Sequence, residues 1–169
     1  MTRHSAVLST AFDARRLRDV LGCFATGVTV VTSRGEGGAP VGLVVNSFSS
    51  VSLEPPQILW SLALDAPSRP AFRAHPGFAV NIMGAASKEA TLRFARPGGD
   101  KFRDVDWRPG VHGVPVLADA LATLECETET RIESGDHEIY IGRVLRIDAR
   151  DGDPLIFHRG QFAQLGGTL

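Results

Sequence analysis

Small polar side chains are concentrated between residues 46 and 52, and these are side chains that could bind a polar ligand. The segment holds one amide and four hydroxyls: Asn46, Ser47, Ser49, Ser50 and Ser52. It follows an apolar stretch at 42–45 that is typical of a strand, and Pro55-Pro56 closes it. A strand whose apolar pattern gives way to such residues either leads into a Ser-rich connecting loop or lines a ligand site. The pattern alone leaves both interpretations open.

Several other kinds of site are not supported. The glycines near residue 35 lack the G-x-G-x-x-G spacing of a dinucleotide-binding turn, and a predicted strand follows them. The sequence has no G-x-S-x-G nucleophile elbow, and its Cys and His residues lack the spacing of zinc ligands. A formal net charge of -1 without a basic stripe argues against nucleic acid as the main partner.

The elements that would position the polar segment are mostly strands. Three helices are predicted: over 14–24 after the N-cap Asp13, from Ser68 with Pro70 in its first turn, and over 87–94. Strands are predicted at 28–32, 40–46, 57–64, 78–83, 121–131 and 137–149, the first two as a hairpin. Because strands outnumber helices without a regular βαβ alternation, the pattern favours a mainly β, mostly antiparallel barrel with a few peripheral helices.

Two segments carry further expectations. Along the strand at 121–131, Glu125, Glu127, Glu129 and Arg131 fall on one face, which we expect to be solvated. Residues 96–115 are rich in glycine and proline, and they are predicted to form a long loop that is functional or mobile.

Length and composition fit one domain over residues 1–169, with loose termini at 1–11 and 166–169. The chain is 43% hydrophobic and 22% charged, has no apolar run of the roughly 20 residues that a membrane span needs, and lacks a signal-peptide pattern. We therefore expect a cytoplasmic protein. Cys23, in a predicted helix, and Cys126, in a predicted strand, are expected to be buried free thiols.

Seven short motifs in order resemble the short-chain flavin reductase family, the small NAD(P)H:flavin oxidoreductases that supply reduced flavin to two-component monooxygenases. They are TGVTVVT, NSFSSVSLEPP, FAVNIM, KF, LECE, GDH and PLIFHRGQF, and the resemblance runs from about residue 12 to 165. It implies a Greek-key-like FMN-binding split β-barrel. It also implies an enzyme that transfers hydride from NADH (or NADPH) to FAD (or FMN) and releases the reduced flavin to a partner monooxygenase. It also implies a homodimer, which the surplus of apolar strand surface favours independently.

The resemblance further implies which residues bind the cofactors. The flavin ring edge and ribityl chain would lie against Leu43, Val44, Val45, Asn46 and Ser47. The remaining flavin contacts, including the phosphates or adenylate, would come from Ser61, Ser68, Arg69, Lys101 and Phe102. His137 would position the nicotinamide against the flavin. Position 44 is often Thr in the family, so Val44 removes one side-chain hydrogen bond there.

Two alternatives remain on the sequence. One is a split-barrel enzyme that retains FMN and reduces a substrate of its own, and the other is a non-catalytic flavin- or haem-binding module. No metal site is expected.

Overall fold

The computed structural model describes residues 12–166, and the termini that we expect to be loose lie almost entirely outside this range. Its α-helices are α1 (Ala14–Leu21), α2 (Arg69–Ala74) and α3 (Lys88–Ala95). Its strands are β1 (Thr26–Gly27), β2 (Thr29–Arg34), β3 (Pro40–Val45), β4 (Ser49–Leu53), β5 (Pro56–Ala63), β6 (Gly77–Met83), β7 (Trp107–Pro109), β8 (Pro115–Leu117), β9 (Ala120–Ser134), β10 (His137–Ala149), β11 (Ile156–His158) and β12 (Gln161–Ala163). None of the helices in the described range is long and apolar enough to cross a membrane.

The main sheet has seven antiparallel strands in the order β3-β2-β6-β9-β10-β5-β4. Its two end strands, β3 and β4, are successive in the chain and only residues 46–48 connect them. The sheet must therefore curl until its ends approach each other, which is the geometry of a split barrel. Ser47 holds this connection against β5: its Oγ accepts from the Ser61 N–H at 2.9 Å and lies 3.2 Å from the Ser61 carbonyl oxygen. The predicted fold class is confirmed.

An aromatic cluster fills one part of the interior. Trp60 stacks on Tyr140 with 4.7 Å between ring centroids, and Phe72 and Phe78 meet Trp60 edge-on at 5.0 and 5.7 Å. All four side chains are buried, so Phe72 fixes α2 against the sheet as its inward position in the sequence predicts.

A small second sheet packs beside the main sheet. Its strands follow the order β1-β11-β12, and Phe157 and Phe162 on the β11–β12 hairpin pack edge-on at 5.7 Å. The neighbouring Val28 donates its N–H to the Leu155 carbonyl at 3.1 Å, which holds the hairpin beside β2.

Helix α1 begins as predicted but ends early. The Asp13 Oδ1 accepts from the Arg16 N–H at 2.7 Å, an N-cap hydrogen bond. The helix stops at Leu21, so Cys23 lies beyond it and is exposed, against the expectation of a buried thiol, whereas Cys126 is buried as expected. No residue of α1 is buried, because the helix lies on the surface of the barrel.

The prediction of a solvated acidic face on β9 is wrong at Glu125, which is fully buried. Its carboxylate accepts from the Val111 N–H at 2.6 Å and from Arg108 Nη2 at 3.0 Å, and Arg146 lies 3.7 Å away. The predicted loop at 96–115 causes this burial, since its second half forms the β7–β8 hairpin and covers this part of the sheet. Strand alternation alone could not show that a distant segment folds over the polar face.

Candidate functional site

A cavity of about 950 Å³ lies between β3, the segment 94–102 and the β11–β12 hairpin. Its volume falls within the range of small-molecule sites, which is roughly 300–1,000 Å³. Apolar side chains supply much of its wall: Val44, Phe94, Phe102, Phe157 and Phe162. The cavity can therefore hold a large, flat, mostly apolar molecule.

Strand β3 gives this cavity a row of backbone donors and acceptors. Among the strands of residues 12–166 it is an end strand of the sheet and pairs only with β2, from Thr29↔Val45 to Arg34↔Pro40. In an antiparallel pair, every second residue of such a strand directs its N–H and C=O away from its partner. Residues 39–46 all line the cavity, so these unpaired backbone groups border it.

Gly42 lets α3 approach this strand. A Cβ at position 42 would lie 3.0 Å from the Phe94 ring, closer than the packing allows without movement. The glycine therefore keeps Phe94, and with it the start of the 94–102 segment, in contact with β3.

Lys101 places a positive charge in the cavity wall. Its Nζ donates to the Phe94 carbonyl at 3.0 Å and lies 3.5 Å from the Gly42 carbonyl, and no carboxylate of the described residues pairs with it. Desolvation by partial burial lowers the pKa of Lys101. A half-buried cation with only neutral partners favours an anionic group of a ligand beside it.

The structure brings together seven of the eleven predicted site residues. Those that line the cavity are Leu43, Val44, Val45, Asn46, Ser68, Lys101 and Phe102. Sequence reasoning did not identify the other aromatic walls, at Phe94, Phe157 and Phe162, or the second cation in the lining, Arg96. The Arg-Pro-Gly-Gly-Asp-Lys run at 96–101 combines flexible backbone with two cations, and it was the signal that could have identified Arg96.

Three other predicted residues have partners elsewhere. The Ser47 hydroxyl bonds to the backbone of Ser61, next to the β4–β5 pairing. Arg69 donates through Nε to Glu138 Oε2 at 3.1 Å and through Nη2 to Glu133. Glu138 is 1% exposed, so the Arg69 guanidinium compensates a buried carboxylate and anchors α2 to β10.

His137 lies outside the cavity lining, at the start of β10. It is exposed, pairs with Ala63 of β5, and its Nδ1 lies 2.7 Å from Asp136 Oδ1. The hydrogen bond with His137 lowers the pKa of Asp136, and the charge of Arg18 adds to this effect. The described residues thus present His137 on the surface rather than within the cavity.

Residues 21–166 match the model of the flavin reductase like domain, and the chain belongs to this family. It is similar to the FMN reductase (NADH) SmoA of Agrobacterium fabrum, with 45% identity over 90% of this chain and 86% of that protein. It is 37% identical to the HsaB reductase subunit of a flavin-dependent monooxygenase of Rhodococcus jostii, over 96% of this chain and 83% of that protein.

A solved structure of a relative shows the same fold. The NADH:FAD oxidoreductase of Streptomyces globisporus, in complex with NAD and FAD fragments, superposes with a TM-score of 0.86 at 39% identity. The superposition covers 91% of this chain and 93% of that one.

The residues of this cavity fit a flavin. The aromatic and aliphatic walls suit the faces of the isoalloxazine ring, the free edge of β3 suits its carbonyl and N–H edge, and Lys101 with Arg96 suits the phosphates.

Proposed function

We propose that this protein is an NADH-dependent flavin reductase of the EC 1.5.1 type, which reduces FAD or FMN and releases it to a partner monooxygenase. The observation that carries the proposal is the cavity along β3. Among residues 12–166 it combines backbone groups of β3 that no other strand pairs, aromatic walls, and the cation Lys101, which has no carboxylate partner. The relatives support it, since they are named as FMN reductase, NADH-dependent FAD reductase and monooxygenase reductase subunit.

The chain needs few catalytic groups for this reaction. Bound flavin supplies the hydride-accepting chemistry, so the protein has to bind the flavin and the nicotinamide, orient them and shield them from water. In the proposal residues 43–45 of β3 and the following Asn46 bind the polar edge of the ring, and the aromatic walls hold its faces. Lys101 and Ser68, which both line the cavity, bind the phosphate.

His137 is proposed to position the nicotinamide rather than to hold flavin. Its place outside the cavity lining is compatible with a contact that only the second substrate makes. His137→Ala should slow flavin reduction in stopped-flow measurements at several NADH concentrations while flavin affinity stays near wild type. Equal rates in the variant and wild type would make His137 a structural residue.

We further propose a homodimer with its flavin sites near the interface. Apolar side chains that the single chain leaves exposed include Phe24 at 77%, Leu53 at 92% and Ile147 at 71%. Exposed apolar surface of this kind favours a partner, and a twofold pair is the commonest solution. Light scattering should give about twice the 18.1 kDa chain mass. A fully active monomer at nanomolar concentration would contradict this proposal.

We place the protein in the cytoplasm, where NADH is available and free thiols persist.

The direct test of the reductase is steady-state NADH oxidation with FAD, FMN and riboflavin titrated separately. We expect oxidation only when flavin is added, and the ratio of kcat/KM values ranks the flavins. NADPH in place of NADH ranks the reductants. A protein that binds flavin but oxidises neither reductant would contradict the proposal.

A further inference from the structure

A second cavity, of about 620 Å³, lies where the C-terminal end of α1 meets the β11–β12 turn. Among the residues that the structure describes, three arginines line it, Arg16 and Arg18 from α1 and Arg159 from the turn, and Asp19 is the one carboxylate. Within residues 12–166, none of these three guanidinium groups forms an ion pair. The cavity is therefore rich in positive charge and has room for an anionic ligand.

Arg159 is held in an unusual backbone conformation. Its φ is 48°, and the following Gly160 has a φ of 77°. Two-residue hairpin turns with positive φ at both positions favour Asn, Asp or Gly at the first, so an arginine there is uncommon. An observed outlier of this kind is a reason to look for a function of its side chain.

Contacts with the end of α1 fix the position of this turn. The Arg159 N–H donates to the Gly22 carbonyl at 2.9 Å, and its guanidinium lies 3.6 Å from the Cys23 sulfur. A more permissive residue would satisfy the same backbone hydrogen bond, because that bond does not involve the side chain. The turn itself therefore does not require an arginine at position 159, and what the arginine adds is its guanidinium group.

The arginine cavity adjoins the elements of the flavin site. Phe157 and Phe162, on the two strands of the hairpin, line the 950 Å³ cavity, whereas the turn between them lines the arginine cavity. On its other side, the charge of Arg18 acts on Asp136, the hydrogen-bond partner of His137. One cluster of cations thus neighbours both the flavin cavity and the turn that carries His137.

We propose that Arg16, Arg18 and Arg159 bind the pyrophosphate of the nicotinamide dinucleotide, a proposal that rests on the NADH-dependent function given above. Guanidinium groups stay charged and match phosphate oxygens with paired N–H donors. A single ribose separates the pyrophosphate of NADH from its nicotinamide, so a nicotinamide that enters the flavin cavity brings its phosphates to the adjoining surface. FAD also carries a pyrophosphate, but the flavin cavity has its own cations in Lys101 and Arg96.

The test uses ADP-ribose, which carries both phosphates of NADH but no nicotinamide, and measures its binding by calorimetry with FMN at saturation. Arg18→Gln and Arg159→Asn should each weaken ADP-ribose binding roughly tenfold, the scale of one lost charge-assisted contact. The control is Arg15→Gln, which removes a charge from the same helix but not from the cavity lining, and it should bind like wild type. Arg159→Asn should also keep or raise the melting temperature, because Asn suits the positive φ.

Kinetics give a second readout. The KM for NADH should rise in the two cavity variants. The KM for N-benzyl-dihydronicotinamide should not change, because this reductant has no phosphate, and the affinity for riboflavin should not change either. The inference is overturned if ADP-ribose does not bind wild type, if FMN displaces it, or if Arg15→Gln weakens it equally. A wild-type protein that oxidises neither reductant with flavin present would instead refute the reductase function, and the ADP-ribose titration would still test the arginine site by itself.

Discussion

Replacing Lys101 with Met should weaken binding of the flavin phosphate while the fold and the binding of the flavin ring stay unchanged. Within the described residues the Lys101 ammonium donates only to the carbonyls of Phe94 and Gly42, and it has no carboxylate partner that the change would leave unpaired. A charge-assisted hydrogen bond to phosphate contributes about 1.5–3 kcal/mol, so FMN and FAD should bind roughly 10- to 100-fold more weakly. Riboflavin, which has no phosphate, should bind within about twofold of wild type.

The folded protein should tolerate this change. Desolvation lowers the pKa of Lys101 below its ordinary 10.5, so the folded state binds that proton less readily than the unfolded chain does. The charged lysine therefore opposes folding at neutral pH, and that opposition fades as the pH rises from the lowered pKa towards 10.5. Met keeps the aliphatic volume without the charge, and we expect an unchanged or slightly higher free energy of unfolding.

The assay is a fluorescence titration of FMN, FAD and riboflavin against wild type, Lys101→Met and Lys88→Met. Lys88, the only other lysine in the chain, is exposed at the start of α3 and outside the cavity lining, so its variant is the matched control. The preference of wild type for FMN over riboflavin should also fall as the pH rises through the pKa of Lys101. Equal losses for riboflavin and FMN would mean that Lys101 supports the fold, and no loss for either would place the phosphate elsewhere.

Three further predictions concern the surroundings of the site. Ser47→Ala should lower the free energy of unfolding by about 1 kcal/mol, because it breaks the hydrogen bonds that hold the 46–48 connection to β5 at Ser61. Asn46→Ala, exposed at the cavity, should weaken flavin binding without that loss, and the reverse pattern in urea unfolding and flavin titration would contradict this division. Glu125→Ala should lower the free energy of unfolding, measured in urea, by about 2–3 kcal/mol. This is near the low end for a broken buried ion pair because the partners Arg108 and Arg146 are 47% and 59% exposed to solvent, and a loss below 1 kcal/mol would show that the pairs contribute little. A thiol reagent at neutral pH should modify exposed Cys23 but not Cys126, because burial raises the pKa of the Cys126 thiol to about 12. Cys126 should react once the chain is unfolded, and two reactive thiols in the native protein would refute the burial of Cys126.

The fold could be predicted from the sequence where local patterns decide it. The Asp13 cap, the β2–β3 hairpin and the inward Phe72 depend on residues close in the chain, and the structure has all three. Burial that depends on distant segments could not be predicted in this way. Glu125 is covered by the segment around residues 108–114, and Cys23 is exposed because α1 lies on the outside of the barrel.

The candidate site shows the same division. The β3 residues and Lys101 could be identified because they lie in recognisable motifs, and the structure places them around one cavity. Phe157, Phe162 and Arg96 reach that cavity only through the tertiary fold. Arg69 is the instructive case: its side chain is occupied by Glu138, a buried carboxylate 69 positions further along the chain. No local pattern could reveal that partner.

The most direct test of the central claim is an anaerobic single turnover followed by rapid filtration. Protein, NADH and a small excess of FMN or FAD are mixed, NADH loss and flavin bleaching are followed together, and the filtrate is assayed for reduced flavin. Release to a partner requires that one NADH is consumed per flavin and that reduced flavin passes the filter. Reduced flavin that stays with the protein, or NADH oxidation by dialysed yellow protein without added flavin, would contradict the account.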